Sequence, residues 1–200
     1  LLGHLYDDGH LVQYFPIVFL AKNTIGQLLL FFAAIFIFLR TKFKNNIKNI
    51  NEEFILLIYA LIYFSLAIYS KLKLGIRHLL PFEGVLSLFS AVIINNNWNK
   101  RLFNVSIYKI FYVLITVSIF NTISAYPHYL SYYNEVSGGS MNGYKISIDS
   151  NYDWGQDFIT LNNWRLKHPE IQLYFDVYAT DGIASYLFGD DPKLYVEWDN

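Results

Sequence analysis

The 200 residues are 54% hydrophobic, 19% aromatic and only 16% charged, against about 25% charged in an average soluble domain. The charge is divided: residues 1–125 hold eleven Lys/Arg and five Asp/Glu, a balance of +6, whereas residues 126–200 hold four and eleven, a balance of −7. That asymmetry implies two environments, and the lack of cysteine excludes disulfides and thiolate metal sites.

The chain opens Leu1-Leu2-Gly3-His4, without Met and without the basic n-region of a signal peptide, and reads as a fragment lacking its N-terminal part. His4, Asp7, Asp8 and His10 match no metal-ligand spacing and read as an exposed loop. Four apolar segments follow, near 15–39, 54–70, 76–94 and 107–125. A membrane-spanning helix takes about 20 apolar residues, so the second and third must borrow interfacial residues. A helix on the surface of a soluble bundle carries a polar face; Phe54 to Tyr69 has none. Residues 1–125 are therefore expected to form a membrane domain.

Arg40, Lys42, Lys44 and Lys48 in one connection, and Lys100, Arg101 and Lys109 in another, fall on one side of such a bundle. The positive-inside trend makes that side cytoplasmic. The opposite connection, 71–78, breaks the trend with Lys71, Lys73 and Arg77. Tyr126, Tyr129, Tyr132 and Tyr133 fit an interfacial aromatic belt, and Pro127 ends the fourth helix.

Residues 126–143 read as an interfacial linker, rich in turn formers at Gly138-Gly139 and Gly143. Beyond it, Tyr144–Asp149 alternates like a strand, Asp153–Lys167 has helical spacing, and Ile171–Tyr178 is a second strand. A short helix over 182–188 and a strand over 193–198 complete a β-α-β-α-β order, the pattern of a small α/β layer. The expected fold is thus mainly α: a polytopic membrane helical bundle followed by a small extracytoplasmic α/β domain, 144–200.

Three stretches carry candidate chemistry. Asp149, Asp153 and Asp157 recur every fourth residue around Trp154 and Gln156. Oxygen-rich groups of this kind suit a divalent metal or a sugar; Ser150 or Asp153 capping a helix is the plainer alternative. Arg77 and His78 stand where the third helix begins, with Glu83 deeper. An arginine there can fork onto phosphate oxygens or simply snorkel. Lys22 interrupts the first apolar run and reads as a cation lining a cavity or as a snorkelling anchor at the outer interface. Nothing matches a P-loop, a dinucleotide fingerprint or a nucleophile elbow, and no basic stripe suggests nucleic acid.

Tyr14-Phe-Pro…Phe-Leu-Ala-Lys22, Gly75-Ile-Arg-His-Leu-Leu-Pro81, and Tyr126-Pro-His-Tyr-Leu-Ser-Tyr-Tyr-Asn134 running on to Asp149-Ser-Asn-Tyr-Asp-Trp-Gly-Gln-Asp157 together resemble the C-terminal part of bacterial GT-C type membrane glycosyltransferases. These are the family 39 enzymes similar to protein mannosyltransferases and the lipid A aminoarabinose transferase. Residues 158–200 resemble them only in general character. The resemblance implies an enzyme of the cytoplasmic (inner) membrane that moves a sugar from a polyprenyl-phosphate donor to a protein, lipid or glycan acceptor on the extracytoplasmic face. It implies that Arg77 and His78, assisted by Lys22, hold the lipid phosphate. It places the general base in a loop upstream of Leu1, so no catalytic residue is assigned in this chain. Many relatives carry Lys-Thr-Pro where this chain has Lys22-Asn-Thr24. A transporter or channel using Lys22, Arg77 and Glu83, and a membrane-anchored binding domain, are the competing readings; no internal repeat favours the transporter.

Overall fold

The structure, a computed structural model, describes residues 1–2, 11–44, 52–73, 75–152 and 154–171, with the backbone alone for residues 43, 44 and 149. The chain divides into two compact units, Leu1–Asn151 and Tyr152–Asn200.

The first unit is mainly helical: α1 Tyr14–Lys22, α2 Ile25–Lys44, α3 Glu52–Tyr69, α4 Leu80–Asn96 and α5 Ile107–Ser124. Among the described residues, four stretches are long and apolar enough to cross a membrane: Ile25–Lys42, Glu52–Tyr69, Ile76–Asn96 and Ile107–Ser124. At 1.5 Å per residue, 18 to 21 residues reach about 27–32 Å, close to a bilayer's hydrocarbon thickness. Only 6% of the α3 stretch and 11% of the α5 stretch is buried in the protein. Ile55, Leu61, Ile62 and Leu66 on α3, and Val113, Phe120 and Ile123 on α5, stand exposed. So much outward apolar surface suits lipid better than water, which weighs for a membrane protein.

The first apolar segment, expected as one helix over 15–39, is two. Asn23 adopts an extended backbone (φ −82°, ψ 148°), and the Thr24 hydroxyl accepts the Gln27 N–H at 3.2 Å, which starts α2 as an N-cap does. The nine residues of α1 reach only about 14 Å, too short to span. α1 is instead a wedge. Its Phe19 ring meets Phe31 of α2, Phe64 of α3 and Phe82 of α4 at centroid distances of 6.2, 6.1 and 5.3 Å, and Phe64 and Phe82 stack at 4.7 Å.

α4 contacts both α2 and α3, and α2 also packs on α5. The α2–α5 approach is close at Gly26, where a β-carbon would stand 2.4 Å from the Leu114 carbonyl and 2.5 Å from the Ser118 hydroxyl. Small residues allow such approach between membrane helices. Thr24 and Ser118 add a hydroxyl–hydroxyl bond of 3.1 Å there. At the far end, a hairpin of β1 Arg101–Leu102 and β2 Val105–Ser106 links α4 to α5. Its two turn residues, Phe103 and Asn104, both have positive φ, the primed turn that matches strand twist. The Phe103 ring lies on Phe36 at 6.1 Å.

α5 ends at Ser124, and residues 126–151 then fold back over the helix ends of the α1 side through short 3₁₀ turns, Glu135–Ser137, Ser140–Lys145 and Asp149–Asn151. Tyr144–Asp149, expected as a strand, is therefore irregular. The alternation does not mark a covered face: Tyr144 and Ile148 are exposed and Ile146 is half-buried, while Ser147 between them is buried. Tyr133 does not join an aromatic belt with the exposed Tyr126 and Tyr129; it is 1% exposed.

The described part of the second unit contains α6, Phe158–Lys167. The described helix over the expected 153–167 starts at Phe158, with Asp157 at its N-cap position, so Ser150 does not cap it. Trp164 and His168 stack at 4.4 Å. Among the described residues the only sheet is the 101–106 hairpin; the strands expected over 171–178 and 193–198 and the helix over 182–188 lie outside the described residues, as do His4, Asp7, Asp8 and His10.

Candidate functional site

The α1 end of the bundle gathers buried polar groups that an apolar core would not tolerate unpaired. Lys22, at the last turn of α1, donates from Nζ to the carbonyls of Leu130 and Asn151, both at 2.5 Å. Its ammonium also stands 4.6 Å from the Tyr133 ring centroid, within cation–π range. Burial lowers the Lys22 pKa from its ordinary 10.5 to about 8. The ammonium is thus engaged with the protein's own carbonyls and ring.

Tyr133 is held in turn. Its hydroxyl donates to the Ser147 carbonyl at 2.5 Å, and Gly143 lies against its ring so closely that a β-carbon would come within 2.1 Å of Cδ2. Asn134, 2% exposed, donates from Nδ2 to the carbonyls of Leu20 (2.6 Å) and Asn23 (2.9 Å), and its backbone N–H donates to Ala21 (2.9 Å). These bonds occupy carbonyls that the C-terminus of α1 leaves without intrahelical partners. Asn23 donates to the Glu83 carboxylate at 2.9 Å, tying the α1–α2 break to α4.

Asn151 is the centre of the network and has no exposed surface. Its Nδ2 donates to the Tyr14 hydroxyl and the Ser147 hydroxyl, each at 2.8 Å. Its Oδ1 accepts the Ile76 N–H at 2.8 Å, and its carbonyl accepts from Lys22. One side chain therefore joins the three stretches that the sequence singled out separately: Tyr14 to Lys22, Gly75 to Pro81, and the start of Asp149 to Asp157.

Arg77 and His78 belong to a 3₁₀ turn, Ile76–Leu79, that leads directly into α4. Gly75 before it has φ +94°, a conformation open chiefly to glycine. Pro81 in the first turn of α4 costs no hydrogen bond there. Arg77 is exposed and His78 half-buried. The Tyr63 hydroxyl donates to the His78 carbonyl at 2.9 Å. His78, Tyr63 and Ser70 supply the polar part of an open cavity of about 230 Å³, lined otherwise by Phe15, Leu66, Ala67 and Leu72. Beside it, Lys73 donates to the Ile68 carbonyl at 2.8 Å and lies 4.9 Å from the Phe15 ring centroid. It thereby caps the C-terminus of α3, whose dipole favours a cation; desolvation lowers its pKa.

The rest of the acidic stretch lies in the second unit. Gln156 accepts the Trp154 N–H at 2.7 Å and donates to the Tyr152 carbonyl at 3.1 Å, closing its own loop, while Trp154 is 58% exposed. α6 begins at Phe158, with Asp157 at its N-cap position rather than on a face within it. Among the described residues no three His, Asp or Glu side chains gather to hold a metal; Asp153 and the Asp149 side chain lie outside that set.

Sequence reasoning missed Tyr133, Asn134 and Asn151 as buried anchors, because asparagine and tyrosine in a glycine-rich stretch read equally well as turn and interface residues. No family model, no curated protein and no solved structure matches the chain.

Proposed function

We propose that the chain is the C-terminal membrane part of a glycosyltransferase that moves a sugar from a polyprenyl-phosphate donor to an acceptor on the extracytoplasmic face of the cytoplasmic membrane. The observation that carries this reading is the convergence of its three resembling stretches on Asn151, at the bundle end where Arg77 stands exposed. Stretches that share one enzyme site must meet in space, and these are separated along the chain by 52 and 44 residues that include the long helices α2 to α5. Arg77 and His78 are assigned to the lipid phosphate. A guanidinium binds phosphate oxygens through two parallel bonds, and a fixed cation there stabilises the charge left on the phosphate as the sugar departs. The α1 end faces outward in this reading. The opposite end carries Arg40, Lys42, Lys100, Arg101 and Lys109, which the positive-inside bias keeps in the cytoplasm.

The test is sugar transfer by the full-length protein in proteoliposomes supplied with polyprenyl-phosphate mannose, glucose or aminoarabinose. Arg77→Ala is expected to lower transfer by roughly a hundredfold or more, the scale of one lost charge-stabilising donor. Wild-type protein silent with every donor, or Arg77→Ala as active as wild type, would sink the reading.

A further inference from the structure

We infer that Asn151 is a positioning residue that sets the Arg77–His78 turn in the geometry that receives a phosphate; this rests on the lipid-phosphate reading above. The turn begins at Ile76, and the first N–H groups of any helical turn have no partner within it. Gly75 offers no side-chain cap. The Ile76 N–H is taken instead by Asn151 Oδ1, across 75 residues of chain.

The carboxamide cannot face the other way. Both Nδ2 hydrogens are committed, to Tyr14 and Ser147, and a flip would set an NH₂ group against the Ile76 N–H. Backbone contact is close enough that Gly75 needs to be glycine: a β-carbon there would stand 3.0 Å from Asn151 Oδ1 and 2.8 Å from Ser150 Oγ. Lys22 holds the same residue from the other side through the Asn151 carbonyl. Lys22 and Asn151 thus form the frame, and Arg77, exposed on the framed turn, presents the charge. The opening of the Asp149–Asp157 stretch thereby gains a role that requires neither metal nor sugar.

The test uses the whole chain in lipid nanodiscs with two readouts. The first is amide exchange at Ile76, measured against Leu86–Ile94 of α4. Asn151→Ala is expected to speed Ile76 exchange by roughly tenfold, the scale of one lost buried hydrogen bond, with α4 unchanged. Asn151→Asp, which keeps an acceptor for Ile76, restores most of the protection. The second is binding of geranylgeranyl phosphate, followed by the ring ¹⁵N signal of His78, assigned with His78→Gln. Wild type is expected to give a saturable shift that geranylgeraniol does not give, and Asn151→Ala to bind about tenfold more weakly. Should Asn151→Ala fail to fold, the double variant Tyr14→Phe/Ser147→Ala frees the carboxamide while keeping its volume, and the same two changes are expected. Folded variants with wild-type exchange at Ile76 and wild-type affinity, alongside Arg77→Ala that has lost binding, would overturn the positioning role and leave the phosphate reading standing. No shift in wild type, or equal affinity in Arg77→Ala, would overturn the phosphate reading and the inference with it.

Discussion

The Lys22 ammonium stands 4.6 Å from the centroid of the Tyr133 ring, and that ring is 1% exposed. A cation is thus enclosed at the bundle end by an aromatic face and two carbonyls 108 and 129 positions away in sequence. Such an arrangement holds the C-terminus of α1 firmly while penalising the charge it uses.

That penalty gives stability a direction with pH. Lys22 has a pKa of about 8 in the folded chain against an ordinary 10.5. Between those values the unfolded chain binds the proton more fully than the folded one, so stability rises with pH across that window and is flat in this respect below it. Lys22→Met is expected to abolish this part of the rise and, at neutral pH, to cost about 2 kcal/mol for two carbonyls left without a charged donor. Thermal unfolding of both forms in detergent between pH 7 and 10.5 checks it; parallel pH profiles for wild type and variant would count against a buried Lys22 charge.

Gly75 and Gly84 lie nine residues apart and should respond oppositely to alanine. Gly75 has φ +94° and polar atoms at 2.8 and 3.0 Å from any added β-carbon. Gly75→Ala is expected to destabilise by roughly 2–3 kcal/mol from backbone strain and crowding together. Gly84, inside α4, has nothing within 4 Å of the same position, so Gly84→Ala is expected to be neutral or to stabilise by up to about 1 kcal/mol through helix propensity. Midpoints of thermal unfolding for the two variants, side by side, decide the matter.

Helix contact at Gly26 offers a third measurement. A β-carbon there would meet the Leu114 carbonyl at 2.4 Å, and backbone cannot yield as a flexible side-chain tip does. Gly26→Ala is expected to force α2 and α5 apart at a cost of about 1–3 kcal/mol. A cysteine pair introduced across the α2–α5 contact should cross-link more slowly in that variant than in its parent.

The four long apolar helices were legible because hydropathy sums over many residues and survives individual errors. The break at Asn23-Thr24 was not. Lys22 and Asn23 look like polar interruptions within one segment, and the partners that fix the break, Glu83 and Asn134 at Asn23 and Ser118 at Thr24, lie far along the chain. The Arg77–His78 turn was read at its true place because Gly75 and Pro81 punctuate it locally. The role of Asn151 was hidden for the opposite reason: its partners Tyr14, Lys22 and Ile76 share no local pattern with it. The Tyr144–Asp149 alternation misled, since two of its three apolar members, Tyr144 and Ile148, stand exposed: a period of two in the sequence does not by itself cover one face.

The α1 wedge has a consequence for how the protein is made. Its polar anchors, Leu130, Asn134 and Asn151, emerge from the ribosome more than a hundred residues after it, once every long helix has already been synthesised. Contacts between such distant positions form late, because the intervening chain must first be closed into a loop. During synthesis α1 therefore waits as an apolar segment too short to span, with the Lys22 charge not yet enclosed. The segment that fastens α1 is thus made only after the long helices α2 to α5. A chain halted before Asn151 would keep its long helices but leave α1 without the Tyr14 and Lys22 bonds to Asn151 that fasten it.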